Sequence, residues 1–208
     1  MRVSALAFGL CAAAALGIAV AHQKDSEPKR IDAARLMSEL MTGKGPIGGP
    51  FALRDQHGQR VGPAQWRGKV VLMYFGYTSC PDACPTDLGN IAAAIEILGP
   101  DGAKVQPVFI TLDPQRDTPA VIGAYVKNFN PRFVALGGSE SEIRRVSLSY
   151  KVFYEKVPQD GSDHYVIDHT SFTYLLNAEG KYVGYFPPGT SGQRMSEQVK
   201  AVLAAHPP

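Results

Sequence analysis

The chain has 208 residues and a net charge of +2, and its lysine and arginine residues are scattered rather than gathered in runs. This distribution gives no reason to expect nucleic-acid binding, which needs a basic patch or stripe. A chain of this length can bury an ample core as one domain, so it does not need disulfide bonds for stability.

The first 21 residues are predicted to direct export. After Met1-Arg2, the run Val3–Ala21 is apolar and uncharged, and it ends in small residues, as a secretory signal peptide does. The run is also nearly long enough to cross a bilayer, so a single membrane anchor is the alternative. In both cases the rest of the chain is exported, and Cys11 within the run is expected only to fill apolar space.

Residues 22–47 are predicted to be a linker, and residues 48–208 the folded domain. The linker is polar at first, weakly helical around Ile31–Met41 and glycine-rich towards its end. The domain opens at Phe51–Val61 with two short alternating runs on either side of a polar turn, which predicts an N-terminal β-hairpin.

Strands and helices are predicted to alternate along the rest of the domain. The apolar run Lys69–Phe75 is typical of a strand buried on both faces of a sheet. The later elements are a helix at Pro85–Leu98, a strand at Val105–Leu112, a helix at Thr118–Phe129, a short apolar segment at Val134–Leu136, a helix at Ser139–Tyr150, a strand at Val152–Val157, a hairpin of Ser171–Leu176 with Tyr182–Phe186, and a closing helix at Ser191–Ala205. This order predicts an α/β fold with a mixed central β-sheet flanked by helices.

Cys80 and Cys84 are four positions apart where a predicted strand gives way to a helix. Sulfurs at this spacing on one helical face converge, so the pair can form a disulfide, bind a soft metal, or do both. The helix N-terminus favours the thiolate form of such cysteines. A purely structural disulfide is the weaker interpretation, because closing so short a loop contributes little chain entropy.

His169 is the candidate for a third ligand, since two sulfurs leave most soft metals short of donors. It lies at the entrance of a predicted strand, where the loops of an open sheet converge near helix N-termini. Two sulfurs and one imidazole nitrogen suit Cu(I) and can adapt to Cu(II). Asp168 is expected either to orient the imidazole ring or to be a loop charge.

Several other polar residues are expected to have local roles. Asp113 and Asp117 are predicted to be turn and helix-cap residues, with partner docking or ring positioning as the alternative. Asp82, between the cysteines, is expected in the first helical turn, where its charge opposes thiolate formation and could tune the redox potential. Three further histidines are not expected to join the metal site: His22, His57 and His164.

Three motifs together resemble the Sco/SenC family of copper metallochaperones. They are Gly76–Pro85 (GYTSCPDACP), Thr111–Pro119 (TLDPQRDTP), and Asp168–Thr170 (DHT) followed by Tyr174–Leu176 (YLL). The resemblance spans roughly Gly48–Ala205. It implies a thioredoxin-like fold, an N-terminal membrane anchor, and a copper site whose ligands match Cys80, Cys84 and His169 in this chain.

The resemblance also implies a function: helping copper reach the binuclear copper centre of cytochrome c oxidase, as metal donor, as reductant of that centre's cysteines, or as both. The implied partners are the copper-bearing oxidase subunit and an upstream thiol reductant or copper donor. With the export signal, this implies a place on the periplasmic side of a bacterial inner membrane.

The alternative function is that of a thiol–disulfide oxidoreductase, which would use the same redox pair, Cys80 and Cys84, by mixed-disulfide exchange. Two features count against it. The cysteines are separated by three residues where dedicated oxidoreductases usually have two, and Asp168–Leu176 lacks the proline that those enzymes place beside their cysteines.

Overall fold

The structure is a computed structural model that describes residues 33–42, 46–159 and 164–205. The predicted signal or anchor at residues 1–21, including Cys11, lies outside the described residues, as does His22 in the first part of the predicted linker. Within the described ranges, no helix is both long enough and apolar enough to cross a membrane.

Helices and strands alternate through the middle of the domain as the sequence predicts, and four strands then follow one another before the closing helix. The helices are α1 (Ala33–Thr42), α2 (Ala83–Ile97), α3 (Pro119–Lys127), α4 (Glu140–Ser149) and α5 (Gly192–Ala205). The strands are β1 (Leu53–Asp55), β2 (Arg60–Val61), β3 (Val70–Gly76), β4 (Val105–Thr111), β5 (Val134–Gly137), β6 (Tyr154–Pro158), β7 (Tyr165–His169), β8 (Thr173–Leu176) and β9 (Tyr182–Phe186). Short 3-10 helices at Pro63–Trp66 and Gly99–Lys104 precede β3 and β4.

Seven strands form one mixed sheet in the order β2-β1-β5-β4-β3-β8-β9. The neighbours of β4, which are β3 and β5, run parallel to it, whereas the outer pairs are antiparallel. Every residue of β3 and β4 is buried, as their continuous apolar runs predict. The register pairs Gly76 with Thr111, so the loops that leave the carboxyl ends of β3 and β4 begin side by side.

The closing helix α5 packs directly on α2, the helix that follows the cysteines. A Cβ atom added at Gly192 would come within 2.7 Å of the Ala93 Cβ atom and 2.8 Å of the Ala94 backbone nitrogen, so only glycine fits where the two helices meet. Met195 and Val199 of α5 are fully buried. This contact fixes α2, and with it the first helical turn that carries Cys84.

The strand predicted at Val152–Val157 begins two residues later, and it does not join the central sheet. It is β6, which pairs antiparallel with β7 in a separate two-stranded sheet. The sequence pattern did not predict β7 as a strand, because Ile167 is its only buried residue and the usual alternation of apolar and polar residues is missing. The register places Tyr154 opposite His169, the last residue of β7.

The local signals at element ends are confirmed. Thr118 caps α3 by accepting a hydrogen bond from the Val121 backbone N–H, with Pro119 at the first helical position. Ser139 and Glu142 form a capping box at the start of α4. The predicted N-terminal hairpin is β1 with β2, and it extends the central sheet because β1 also pairs with β5.

Helix α1 lies inside the segment expected to be a linker, and the structure differs from that expectation. Leu36 and Leu40 are buried in the domain, and the Glu39 carboxylate lies 2.6 Å from the Lys151 ammonium nitrogen. The apolar side chains recur four residues apart, so they form one helical face that the domain can cover. Residues 33–42 therefore pack as part of the folded domain.

We expect Leu40→Ala to lower the free energy of unfolding by about 2 to 4 kcal/mol, because it leaves a cavity under α1. Leu40 is 2% exposed, whereas its neighbour Met41 is 63% exposed and provides the matched control. Met41→Ala should change stability by less than about 0.5 kcal/mol. Urea denaturation of the two variants measures the difference, and equal effects would show that α1 does not pack as described.

Candidate metal site

The two cysteines lie in the loop after β3 and in the first turn of α2. The expectation that both sit on one helical face is wrong, because Cys80 precedes Asp82, the residue at the N-cap of α2. The sulfurs approach each other through a turn instead: the Cys80 N–H donates to the Tyr77 carbonyl at 3.2 Å, and the Cys84 N–H donates to the Cys80 sulfur at 3.4 Å. The predicted convergence is thus present, with a different local cause.

Gly76, the last residue of β3, makes room for the buried sulfur. A Cβ atom at this position would lie 2.8 Å from the Cys84 Sγ atom and 2.9 Å from the Tyr74 ring. Neither neighbour can move easily, since Cys84 and Tyr74 are both fully buried. The absence of a side chain at Gly76 is therefore a condition for placing the second sulfur against the end of the strand.

His169 meets the cysteines from β7. Its Nε2 atom lies 3.6 Å from the Cys84 Sγ atom, and its Nδ1 atom lies 3.2 Å from the Thr170 carbonyl oxygen. A carbonyl oxygen can only accept, so Nδ1 carries the proton and donates it, which leaves the Nε2 lone pair facing the sulfur. This is the tautomer that a metal ligand needs.

The aromatic rings of Tyr74 and Tyr77 pack edge-on against the imidazole. Their centroids lie 6.3 Å and 5.9 Å from that of His169. The sequence analysis did not identify either tyrosine as part of the site. Their sequence positions give only a weak indication of such a role, because Tyr74 lies within the long apolar strand β3 and Tyr77 is the first residue after it.

The ligand atoms of Cys80, Cys84 and His169 all lie within 4.8 Å of one another, so a single ion can be bound by all three after small side-chain rotations. Among the described residues, this is the one group of three such side chains close enough to hold a metal. Cys84 is buried while Cys80 and His169 are partly exposed. The site is therefore closed by the protein on one side and reachable from the other.

The two thiols have very different proton affinities. A hydrogen bond from the Cys84 thiol, helped by the backbone N–H groups of Asp82 and Cys84, lowers the pKa of Cys80 to about 3 against the opposing effect of burial. The same bond to Cys80, together with burial, raises the pKa of Cys84. In the metal-free protein Cys80 is therefore the thiolate and Cys84 keeps its proton.

The carboxylates near the site differ in their exposure and in their hydrogen bonds. Asp113 and Asp117 are buried, and both accept hydrogen bonds from segments beyond their own turn. Asp168 is exposed and does not orient the imidazole, which is bound by the Thr170 carbonyl instead. Asp82 is also exposed, and its side chain makes no cap hydrogen bond.

One buried carboxylate was missed by sequence reasoning. Asp87, one helical turn after Cys84, is 1% exposed and accepts a hydrogen bond from the Gly189 N–H at 2.8 Å. Burial raises its pKa. Asp87 is three residues after Cys84 and lies on the apolar face that includes Leu88, and this position could have indicated that it is buried.

His57 and His164, which were not expected to join the metal site, are both exposed.

Comparison with known proteins gives a consistent result. The family model described as SCO1/SenC matches residues 40–204. An SCO2-like protein of Rickettsia prowazekii is 47% identical over 155 residues, which cover 74% of this chain and 76% of that protein.

Two solved structures with bound copper have the same fold. ScoI of Bradyrhizobium japonicum is 40% identical with a TM-score of 0.70, and the match covers 76% of this chain and 99% of that one. ScoI of Arabidopsis thaliana is 38% identical with a TM-score of 0.72, covering 77% and 99%. The expected thioredoxin-like fold is thereby confirmed, and the chain belongs to the SCO1/SenC family.

Proposed function

We propose that this protein is a copper carrier that binds one copper ion through Cys80, Cys84 and His169. The observation that carries the proposal is the convergence of their three ligand atoms within 4.8 Å, at the carboxyl end of β3. The copper-bound state of the two similar ScoI structures supports the choice of metal. Copper is here the cargo of the protein.

The donor set favours copper on chemical grounds. Thiolates are soft ligands that select Cu(I), and an imidazole nitrogen is acceptable to both Cu(I) and Cu(II). Cys80 is already ionised in the metal-free protein, so binding has to release a proton from Cys84 only. Oxidation of the pair to a disulfide would remove both thiolates, so copper loading requires a reduced protein and an upstream thiol reductant.

The proposed destination is the binuclear copper centre of cytochrome c oxidase, with its copper-bearing subunit as the partner. Cys80 and His169 are partly exposed, so an incoming thiolate or imidazole of the partner can displace them one at a time. Residues 1–21 would export the chain and leave it soluble or anchored on the periplasmic side of the inner membrane. Family membership is the support for this destination.

A second function, reduction of client cysteines, is favoured by one observation: Cys80 is both partly exposed and ionised. Its thiolate would attack a client disulfide and release one client thiolate. Cys84 would then lose its proton and attack the mixed disulfide, which forms the Cys80–Cys84 bond and releases the second client thiolate. Two electrons pass to the client, so the upstream reductant must regenerate the pair.

The carrier function predicts that the full-length chain takes up one Cu(II). His169→Ala should weaken the affinity for Cu(II) by more than about 100-fold, because loss of a direct ligand should exceed the 10- to 100-fold loss usual for an outer-shell partner. Competition titration against a chelator measures this affinity. His57→Ala, which removes an exposed histidine far along the chain from the site, is the matched control and should bind as the unaltered protein does. Unchanged affinity in His169→Ala would refute the proposed ligand set.

The thiol chemistry predicts that iodoacetamide labels Cys80 almost as fast at about pH 5 as at about pH 8, because a pKa of about 3 keeps the thiolate present throughout. An ordinary thiol would slow about tenfold for each pH unit below its pKa.

In Cys84→Ala the thiol donor to Cys80 is lost, so the pKa of Cys80 should rise and labelling should slow in acid. Peptide mass spectrometry identifies the labelled cysteine. A steep pH dependence in the unaltered protein, or an identical profile in the variant, would contradict the described electrostatics.

A further inference from the structure

The turn between β4 and α3 contacts both segments that carry the candidate ligands. On the cysteine side, the Asp117 carboxylate accepts three hydrogen bonds: from the Thr78 N–H at 3.0 Å, from the Thr78 hydroxyl at 2.5 Å and from the Thr111 hydroxyl at 2.6 Å. Thr78 is two residues before Cys80. Asp117 therefore fixes the start of the cysteine loop to the end of β4.

On the histidine side, the same turn binds the start of β7. Asp113, which is fully buried, forms an ion pair with the Arg116 Nε atom and accepts a hydrogen bond from the Tyr165 hydroxyl at 2.7 Å. Arg116 Nη1 donates to the Tyr165 carbonyl at 3.0 Å, and the guanidinium carbon lies 3.8 Å from the Tyr165 ring centroid. The three side chains thus form a closed set of contacts.

Arg116 also reaches the imidazole through one intervening ring. Its guanidinium lies 5.8 Å from the Tyr77 ring centroid, and that ring packs edge-on against His169 at 5.9 Å. Arg116 therefore lies between the residue that opens the cysteine loop and the strand that ends in His169.

Stability alone is a poor explanation for this arginine. Its Nη2 atom is buried with no hydrogen-bond partner among the described residues, an arrangement that costs free energy. A planar guanidinium can bind a carboxylate, a carbonyl and an aromatic face at fixed angles, which a lysine cannot do. The geometry matches a role in holding two segments at a fixed separation.

We propose that Arg116, held by Asp113 and Tyr165, is a positioning residue for His169. It fixes β7 against the cysteine loop, so that Nε2 faces the sulfurs before copper arrives and less ordering is needed on binding. The inference rests on the proposed function, in which His169 is the third ligand. Arg116 itself does not touch the metal.

The chain offers a matched control in Arg132. Its guanidinium donates to the carbonyls of Gly102 at 2.7 Å and Val105 at 2.6 Å, at the amino end of β4, which is the opposite end from the site. Arg132→Lys removes a comparable set of fixed hydrogen bonds without touching the ligand-bearing segments. This variant measures how much copper affinity changes when a guanidinium is lost away from the candidate site.

The experiment measures the Cu(II) affinity and the Cu(II) absorption spectrum of the full-length chain. The variants are Arg116→Lys, Tyr165→Phe and Arg132→Lys, and each is tested alone and in combination with His169→Ala. Arg116→Lys should weaken binding by about tenfold, as loss of an outer-shell partner does, and shift the spectrum. In the His169→Ala background it should cause no further loss. Tyr165→Phe should act in the same direction, and Arg132→Lys should leave affinity and spectrum unchanged.

The inference is overturned if Arg116→Lys behaves like Arg132→Lys, or if its effect persists without His169. Should Arg116→Lys fail to fold, Tyr165→Phe, which removes one hydroxyl, decides by the same criteria. If His169→Ala alone binds as tightly as the unaltered protein, the proposed ligand set fails instead.

A measurement without copper then separates the positioning role of Arg116 from the proposed ligand role of His169. The nitrogen NMR spectrum of His169 should show one tautomer in the unaltered protein and a mixture in Arg116→Lys at the same pH. An unchanged spectrum would overturn the positioning role.

Discussion

The parallel pairing of β3 with β4 is the constraint on which the candidate site depends. It places Gly76 beside Thr111, so the cysteine loop and the β4–α3 turn leave the sheet from adjacent points. Because all residues of both strands are buried, a shift of register would expose apolar surface and is disfavoured. The hydrogen bonds of Asp117 to Thr78 and Thr111 then hold the two loops together.

The candidate site combines one fixed side chain with two accessible ones. Cys84 lies in the first turn of a helix that α5 holds in place, and its sulfur fills the space left by Gly76. Cys80 and His169 lie at the rim, on a loop and on the end of a small two-stranded sheet. Such an arrangement suits a carrier, since a ligand at the rim can be exchanged while the buried sulfur retains the ion.

The same asymmetry separates the roles of the thiols in redox chemistry. A partly exposed thiolate is the natural point of attack on a client disulfide, and a buried protonated thiol reacts only once it is ionised. Under the proposed function, metal binding and disulfide exchange would use one pair of residues and would exclude each other at any moment. The oxidation state of the pair would decide which of the two can occur.

Much of this could be predicted from local patterns. The buried runs of β3 and β4, the capping signals at Thr118 and Ser139, and the cysteine pair all have short-range causes. His169 is different, because it is 85 positions from Cys84 and a single histidine carries no metal-binding signal of its own. Its position at the entrance of a predicted strand made it a candidate, and the family resemblance, which supplies the tertiary information that spacing lacks, made it the preferred third ligand.

What the sequence did not predict depends on contacts between distant segments. Asp113 and Asp117 look like ordinary turn and cap residues, and their burial follows only from the approach of β7 and the cysteine loop. Strand β7 has no apolar alternation, and it pairs with β6 in a separate two-stranded sheet from which only Ile167 is buried. Helix α1 is packed by Leu36 and Leu40, and only its contact with the rest of the domain shows that this short segment is not part of a linker.

X-ray absorption at the copper edge of the loaded full-length chain tests the central claim most directly, since it counts the atoms bound to the metal. The account predicts two sulfur ligands and one imidazole nitrogen, from Cys80, Cys84 and His169. A copper ion bound by fewer than two sulfurs, or without an imidazole, would contradict it.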